Sequence, residues 1–438
     1  MNSPALLFLG GLLTLVQANA AQHVTFTKDV APILFENCAT CHRPGEIGPF
    51  PLLSYADAKK RARLIVDVTE QRLMPPWKPE KGHGEFSDER RLTESQIATL
   101  KAWLADGTPE GNPRELPSVP KFKSGWQLGE PDIVLKMPEA FTIPAEGRDV
   151  YIHFVFPLNI EKEIHIRGVE CRPGNRRVAH HAAGLLDASG KARKLDAQDS
   201  GMGYENFGSP GFVPAGFTPG YVPGQTPRFF ADGSAITVKK GTDFVLQMHY
   251  HPSGKEETDQ TEIGLYLTKI PPTRHMLGVL LASEEIDIPP GSDTFQVSDK
   301  YTLPVDFRAN CVWAHMHLIG KEVNVWAELP DGTTRRLLKI GDWDFNWQDT
   351  YRYQEDVLLP KGTVLRAQWR FDNTDRNPRN PNHPPKRVQL GEGSTDEMTG
   401  IWLGGEMNSG KDLLTLLGVN LWHYGEIKKK GEKFGKER

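Results

Sequence analysis

The chain of 438 residues contains only four cysteines. So few cannot staple a fold of this length, which must therefore be held by buried apolar cores. A basic excess is also missing. The formal net charge is −4, which offers no positive field for phosphate backbones and excludes nucleic acid as an expected partner. Long apolar runs are absent as well. The strongest, Ala5 to Val16, is too short to span a bilayer, and nothing after it is apolar enough to do so. It lacks a preceding Lys or Arg, but it closes on Ala18-Asn19-Ala20, and we read residues 1–20 as a cleaved export signal. An uncleaved anchor is the alternative. The expected mature protein is periplasmic or secreted, with no transmembrane segment.

What is present begins with spacing. Two of the cysteines stand in Cys38-Ala39-Thr40-Cys41-His42. A Cys-x-x-Cys pair alone fits zinc, a redox disulfide or haem. The histidine that follows selects haem c, because the two thiols can bond the two vinyl groups of one porphyrin while the imidazole reaches its iron. Three helices are expected around the motif, over 28–37, 55–73 and 93–105. The third is marked by Thr93 and Gln96 as a capping box, by Ile97, Leu100 and Leu104 at helical spacing, and by Gly107 as a stop. Met74, in Leu73-Met74-Pro75-Pro76-Trp77, is the expected second axial ligand, with His83 its rival. The region 22–110 resembles the c-type cytochrome domains fused to larger bacterial redox enzymes.

A Pro-, Gly- and charge-rich linker over 111–128 separates this part from a region of different periodicity. Val150, Ile152, Phe154 and Phe156 alternate, as do Phe244, Leu246, Met248 and Tyr250, and Val323, Val325 and Ala327 lead to a Pro330-Asp331-Gly332 turn. Period-two runs bounded by turn residues indicate antiparallel strands. The expected architecture is multidomain: a small all-α domain, then two all-β, jelly-roll-like sandwiches over 129–272 and 273–426. The run 208–224 reads as a covering loop and 427–438 as a solvated basic tail. No internal repeat is visible.

Histidines bunch at His180-His181, His249-Tyr250-His251 and His315-Met316-His317. Residues two apart on a strand share a face, so His315 and His317 can hold one ion, as can His249 and His251. His180 and His181 point opposite ways on a regular strand and can share an ion only at a bulge. Strand geometry alone does not choose between His249 and His251.

With these clusters on the page, 131–424 resembles the copper type II, ascorbate-dependent monooxygenases, the peptidylglycine and dopamine β-hydroxylating family. The matching segments are Val178-Ala179-His180-His181, Phe244-Val245-Leu246-Gln247-Met248-His249-Tyr250, Ala314-His315-Met316-His317-Leu318-Ile319-Gly320 and Ser394-Thr395-Asp396-Glu397-Met398, in the family's order. The resemblance implies two copper ions. One, on His180, His181 and His249, takes in electrons. The other, on His315, His317 and Met398, activates O2 and breaks a substrate C–H bond. It also implies an electron donor, either an ascorbate-like reductant or another cytochrome, and the fused haem offers a built-in relay. Where peptide-amidating members grip a carboxylate with Arg and Tyr, this chain has Trp313 and Trp402, so a small apolar or aromatic substrate is expected. The family's disulfides are missing, and whether Cys171 and Cys311 pair is open. The competing class is a non-catalytic electron carrier or a copper- or redox-sensing binding protein.

Overall fold

The computed structural model describes residues 23–436 apart from 88, 207 and 208. The expected export signal lies outside the described residues. The first elements are helical. A π-turn, Phe26–Val30, leads into α1 (Ala31–Asn37), followed by α2 (Tyr55–Glu70) and α3 (Glu94–Ala105). Ser54 caps α2 by accepting the Asp57 amide, and both halves of the Thr93–Gln96 capping box close on α3. The α2 helix stops short of the expected Leu73 because Arg72 turns into left-handed backbone at φ 57°. Its guanidinium then bonds the Leu92 carbonyl and Glu94. Val30, Leu34, Ala62, Val66, Leu100 and Trp103 give these helices a core of their own.

The rest is mostly β-sheet, in two sandwiches. The first is built from Ile133–Lys136, Val150–Pro157, Ile164–Arg172, Ala179–Asp187, Gly216–Tyr221, Ser234–Val238, Asp243–Tyr250 and Glu262–Thr268. Counted in that order, one sheet reads first, eighth, third, sixth, and the facing sheet second, seventh, fourth, fifth. The second sandwich uses Arg274–Leu281, Gln296–Thr302, Phe307–His315, Gly320–Glu328, Thr334–Ile340, Thr350–Leu359, Val364–Phe371 and Gly400–Met407 in the same order. This order is the double Greek-key wrap of an eight-stranded jelly roll. Two short strand pairs lie outside it. The repeat is one of strand order, which is why no sequence repeat betrays it.

Each sandwich has its own core, the first around Phe154, Leu246 and Leu265, the second around Val312, Leu338 and Trp369. They join through one parallel contact, Arg274 opposite Ser234 and His275 opposite Ala235, so that a single eight-stranded sheet runs through both. The helical part is tied to each. Arg176 pairs with Glu46, Arg90 with Asp349, and Lys339 with Glu80. Trp77 is buried in the second sandwich's core, and Phe86 stacks on Tyr353 at 5.3 Å. The end of the linker is pinned where the Glu170 carboxylate accepts the amides of Gln127 and Leu128.

Two further expectations fail. The stretch 208–224 is not all loop, since Gly216–Tyr221 pairs into the first sandwich. Nor is the basic end a free tail. A short α4 (Lys191–Asp196) lies in the first sandwich, and the basic end is the last part of α5 (Gly410–Lys436), a 27-residue helix that buries Leu416 and Ile427 and pairs Lys428 with Glu284. Apolar residues at helical spacing among the lysines override the charge run.

Candidate metal centre

The first histidine group is made by two neighbouring strands of one sheet. His181 lies directly opposite His249, and the pairing shifts register between Ala179 and His181. That irregularity leaves His180 out of the ladder, which is the condition under which two consecutive histidines can turn to one point. The three Nδ1 atoms converge: His180 to His181 at 3.1 Å, His180 to His249 at 3.1 Å, and His249 to His181 at 3.3 Å. A neutral imidazole has one hydrogen and one lone pair on its two nitrogens, so three Nδ1 atoms facing one another cannot all be satisfied mutually. Nitrogen ligands about 2.0 Å from one ion at tetrahedral angles lie about 3.3 Å apart, which is the spacing found. The trio therefore fits a metal ion.

Asp149 fixes this geometry. Its carboxylate accepts from His249 Nε2 at 3.0 Å and His251 Nδ1 at 2.7 Å. With its hydrogen on Nε2, His249 turns a lone pair on Nδ1 toward the trio. Burial pushes the Asp149 carboxyl up, but the two histidine hydrogen bonds overcome it and hold the group well below the usual carboxylate range. His251 thus flanks Asp149, largely exposed, and His249 is the residue in the trio. Burial, followed by neighbouring imidazoles, lowers His180 to about 3 and His181 well below its ordinary value; burial also lowers His249. All three are neutral donors at physiological pH.

The second group sits at the end of Phe307–His315 and in the turn beyond it. His315 Nδ1 meets Gln348 Oε1 at 2.5 Å, and His317 Nδ1 meets the Asp396 carbonyl at 3.2 Å. Each Nδ1 faces an acceptor and so carries the hydrogen, which leaves each Nε2 with a lone pair. His317 Nε2 is buried with no partner. Burial lowers His315 to about 4 and His317 well below its ordinary value. Met398 is drawn to this edge by its backbone. Gly400 lies opposite His315, and the buried Glu397 carboxylate accepts the amides of His317, Ile319 and Met398 at 2.9, 2.9 and 3.2 Å. Burial raises Glu397 to about 8 against those hydrogen bonds.

Cys38, Cys41, His42 and Met74 border one cavity of about 790 Å3, a size usual for small-molecule and cofactor sites. Its other wall includes Val178, Ala179, His180 and His251, so it reaches from the helices to the first histidine group. Burial pushes the Cys38 thiol up to about 12 and raises Cys41 too. His42 Nδ1 donates to the Phe50 carbonyl at 3.0 Å, leaving Nε2 as its donor nitrogen. His83 does not border the cavity; it sits near Glu80, Arg336 and Lys339.

Trp313 and Trp402 lie opposite one another on paired strands but do different work. Trp313 stacks on His315 at 5.5 Å. Trp402 packs on Phe217 at 4.1 Å and borders a second cavity of about 430 Å3. Cys171 and Cys311 are both free, one in each sandwich. Sequence reasoning missed Asp149, Gln348, Phe345 and Glu397. Asp149 left a faint signal, an acid one residue before the alternating strand that pairs with the His249 strand. Phe345 and Gln348 come from a loop without periodicity.

No family model and no curated protein matches the chain. Among solved structures it is similar to the major capsid protein P2 of bacteriophage PM2, with a TM-score of 0.27 and 11% identity over 59% of this chain and 97% of that one. It is also similar to PNGF-II, with a TM-score of 0.25 and 13% identity over 62% and 65%. Likeness this low carries no argument about function.

Proposed function

We propose that the chain is an exported haem- and copper-dependent monooxygenase that hydroxylates a C–H bond of a small apolar molecule with O2. The observation that carries this reading is the cavity shared by Cys38, Cys41, His42 and Met74 on one side and His180 on the other. Haem c, bonded to the two cysteines and ligated by His42 and Met74, would supply a one-electron carrier beside the first histidine group. Copper on His180, His181, His249 and on His315, His317, Met398 would supply oxygen chemistry, since imidazole suits copper in both oxidation states and thioether favours Cu(I). The chain's own residues do the positioning. Phe50 orients His42, Asp149 orients His249, and Gln348 orients His315. Burial keeps the ring nitrogens unprotonated, so ions do not compete with protons near neutrality. No helix among the described residues is long and apolar enough to cross a membrane, in keeping with a partner set of O2, substrate and a diffusible reductant or second cytochrome.

One observation favours a second reading, a non-catalytic electron carrier or redox sensor. His315 and His317 are 7% and 1% exposed, and neither borders the two cavities described above. Oxygen uptake separates the two. With reductant and a panel of small aromatic compounds, the monooxygenase consumes oxygen in proportion to hydroxylated product. Spectral changes without product identify a carrier instead.

A further inference from the structure

Ten buried side-chain polar atoms among the described residues have no hydrogen-bond partner, and four of them border the cavity of Cys38, Cys41, His42 and Met74. One is His180 Nε2. The other three are donors: Arg90 Nε, Trp347 Nε1 and Tyr351 Oη. A buried donor left unpaired is destabilising, and folded chains keep few of them. Three beside one cavity call for a ligand rich in acceptors.

The three lie together. The rest of the Arg90 guanidinium is already committed, one nitrogen to Asp349 and Nη1 to the Gly224 carbonyl at 3.4 Å. Its Cζ lies 5.0 Å from the centroid of the Trp347 ring, and its charge acts on the Tyr351 hydroxyl. Tyr351, 1% exposed, meets Trp77 edge to face at 5.3 Å. It stands on Thr350–Leu359 with Trp347 in the loop before that strand, so both belong to the second sandwich. The helical lining differs in kind. Leu52, Leu64, Ile65 and Val68 offer the cavity only apolar surface. A molecule that fits both linings is apolar over most of its area and carries carboxylates at an edge, as haem does with its two propionates.

We propose that the propionate carboxylates of the covalent haem are bound by Trp347 Nε1 and Tyr351 Oη of the second sandwich, together with Arg90 Nε. The inference rests on the haem reading of Cys38, Cys41 and His42. It adds that the haem is held across the junction of the helical part and the second sandwich, which thereby shares in setting its potential, since donors hold the charge on a carboxylate.

The test uses the full haem-loaded chain with Trp347→Phe, Tyr351→Phe and the two combined, each of which keeps an aromatic ring and deletes a donor. Covalent haem per chain is counted first. The propionate bending band is then read by resonance Raman spectroscopy, and the haem potential by redox titration at several pH values. The expected result is haem at the parent's level, with the band moved to lower frequency in each single variant and furthest in the double. The potential should fall and begin to vary with pH near neutrality, because a carboxylate that loses its donors keeps a proton more readily. Tyr353→Phe removes a hydroxyl that bonds the Leu337 carbonyl and lies outside the cavity, and it should move neither readout. An equal shift in Tyr353→Phe would make the effect one of packing and overturn the proposal. A band unmoved in the double variant overturns it too, and if reduction by ascorbate then no longer saturates, the donors serve a diffusible acid instead. A parent without covalent haem sinks the haem reading and the proposal with it.

Discussion

The two sandwiches wrap their eight strands in the same order but build their histidine groups from different parts of the wrap. In the first, His180 and His181 come from the fourth strand and His249 from the seventh, neighbours in one sheet, with a register shift that frees His180. In the second, His315 closes the third strand and His317 lies in the turn after it, beside the segment that carries Met398. A shared topology therefore does not fix where a site forms. Local irregularity does: a bulge in one case, a strand end in the other. The support differs accordingly. The first group leans on a buried carboxylate, Asp149, and the second on a neutral amide, Gln348.

The largest effect should come from removing the two thiols at the cavity that reaches the first group. Cys38→Ser combined with Cys41→Ser should abolish covalent haem, because both attachment points go. The trio, held by its own sheet and Asp149, should still take up copper. Copper and haem counted in the same preparation decide this. Loss of both metals together would show that the first group depends on the filled cavity, which the packing of Arg176 on Glu46 and of Trp77 in the second core makes a sharp question.

Acid should strike both groups. Burial depresses the folded values of His180, to about 3, and of His315, to about 4, below the ordinary 6.5. A depressed value means that the unfolded chain binds protons first, so this contribution to stability is complete above about pH 6.5 and is lost as pH falls through the folded values. The urea midpoint of metal-free protein should accordingly drop between pH 7 and pH 4. Replacing His180 and His181 with Gln, or His315 and His317 with Gln, should each flatten that slope in part. If one pair removes the whole slope, the other is not held neutral by burial.

Much of this contrast was legible in the residues. Helix caps, the period of two around Phe154 and Leu246, and the histidine spacing are local signals, and the elements they mark formed where expected. The need for a bulge at His180 was likewise readable, since consecutive strand residues point apart. What stayed hidden was non-local. The same wrap used twice leaves no repeat in side chains, because each core is filled with different residues. The contact between His181 and His315 arises only when two sandwiches dock. Asp149, Phe345 and Gln348 carry no motif, and the apolar residues of α5 were masked by the lysines around them.

Asp149→Asn is the next step down. It keeps the shape but removes the charge that holds the His249 hydrogen on Nε2. Loss of a carboxylate behind a metal-bound histidine costs about 10- to 100-fold in affinity. Cu(II) titration should show that loss at the first group and no change at the second. His251 would lose its partner as well, but it is exposed and its loss carries little weight.

Gln348→Ala should have the smallest effect, about tenfold at the second group, the low end of the same range. Three features set it there. The Gln348 carbonyl is neutral, so its hydrogen bond to His315 is weaker than one to a carboxylate. The His315 ring keeps a second constraint, the parallel stack on Trp313 at 23°, and Trp313 is held in turn by its own indole hydrogen bond to the Gln348 backbone carbonyl, which the substitution preserves. Finally, Gln348 Nε2 donates to the Phe345 carbonyl, so truncation loosens Phe345 as well as His315. That last link makes the comparison informative in both directions. A tenfold loss confined to the second group means the two supports act locally, whereas an equal loss at the trio would mean that Phe345, which touches His180, His249 and His317, carries the disturbance from one sandwich to the other.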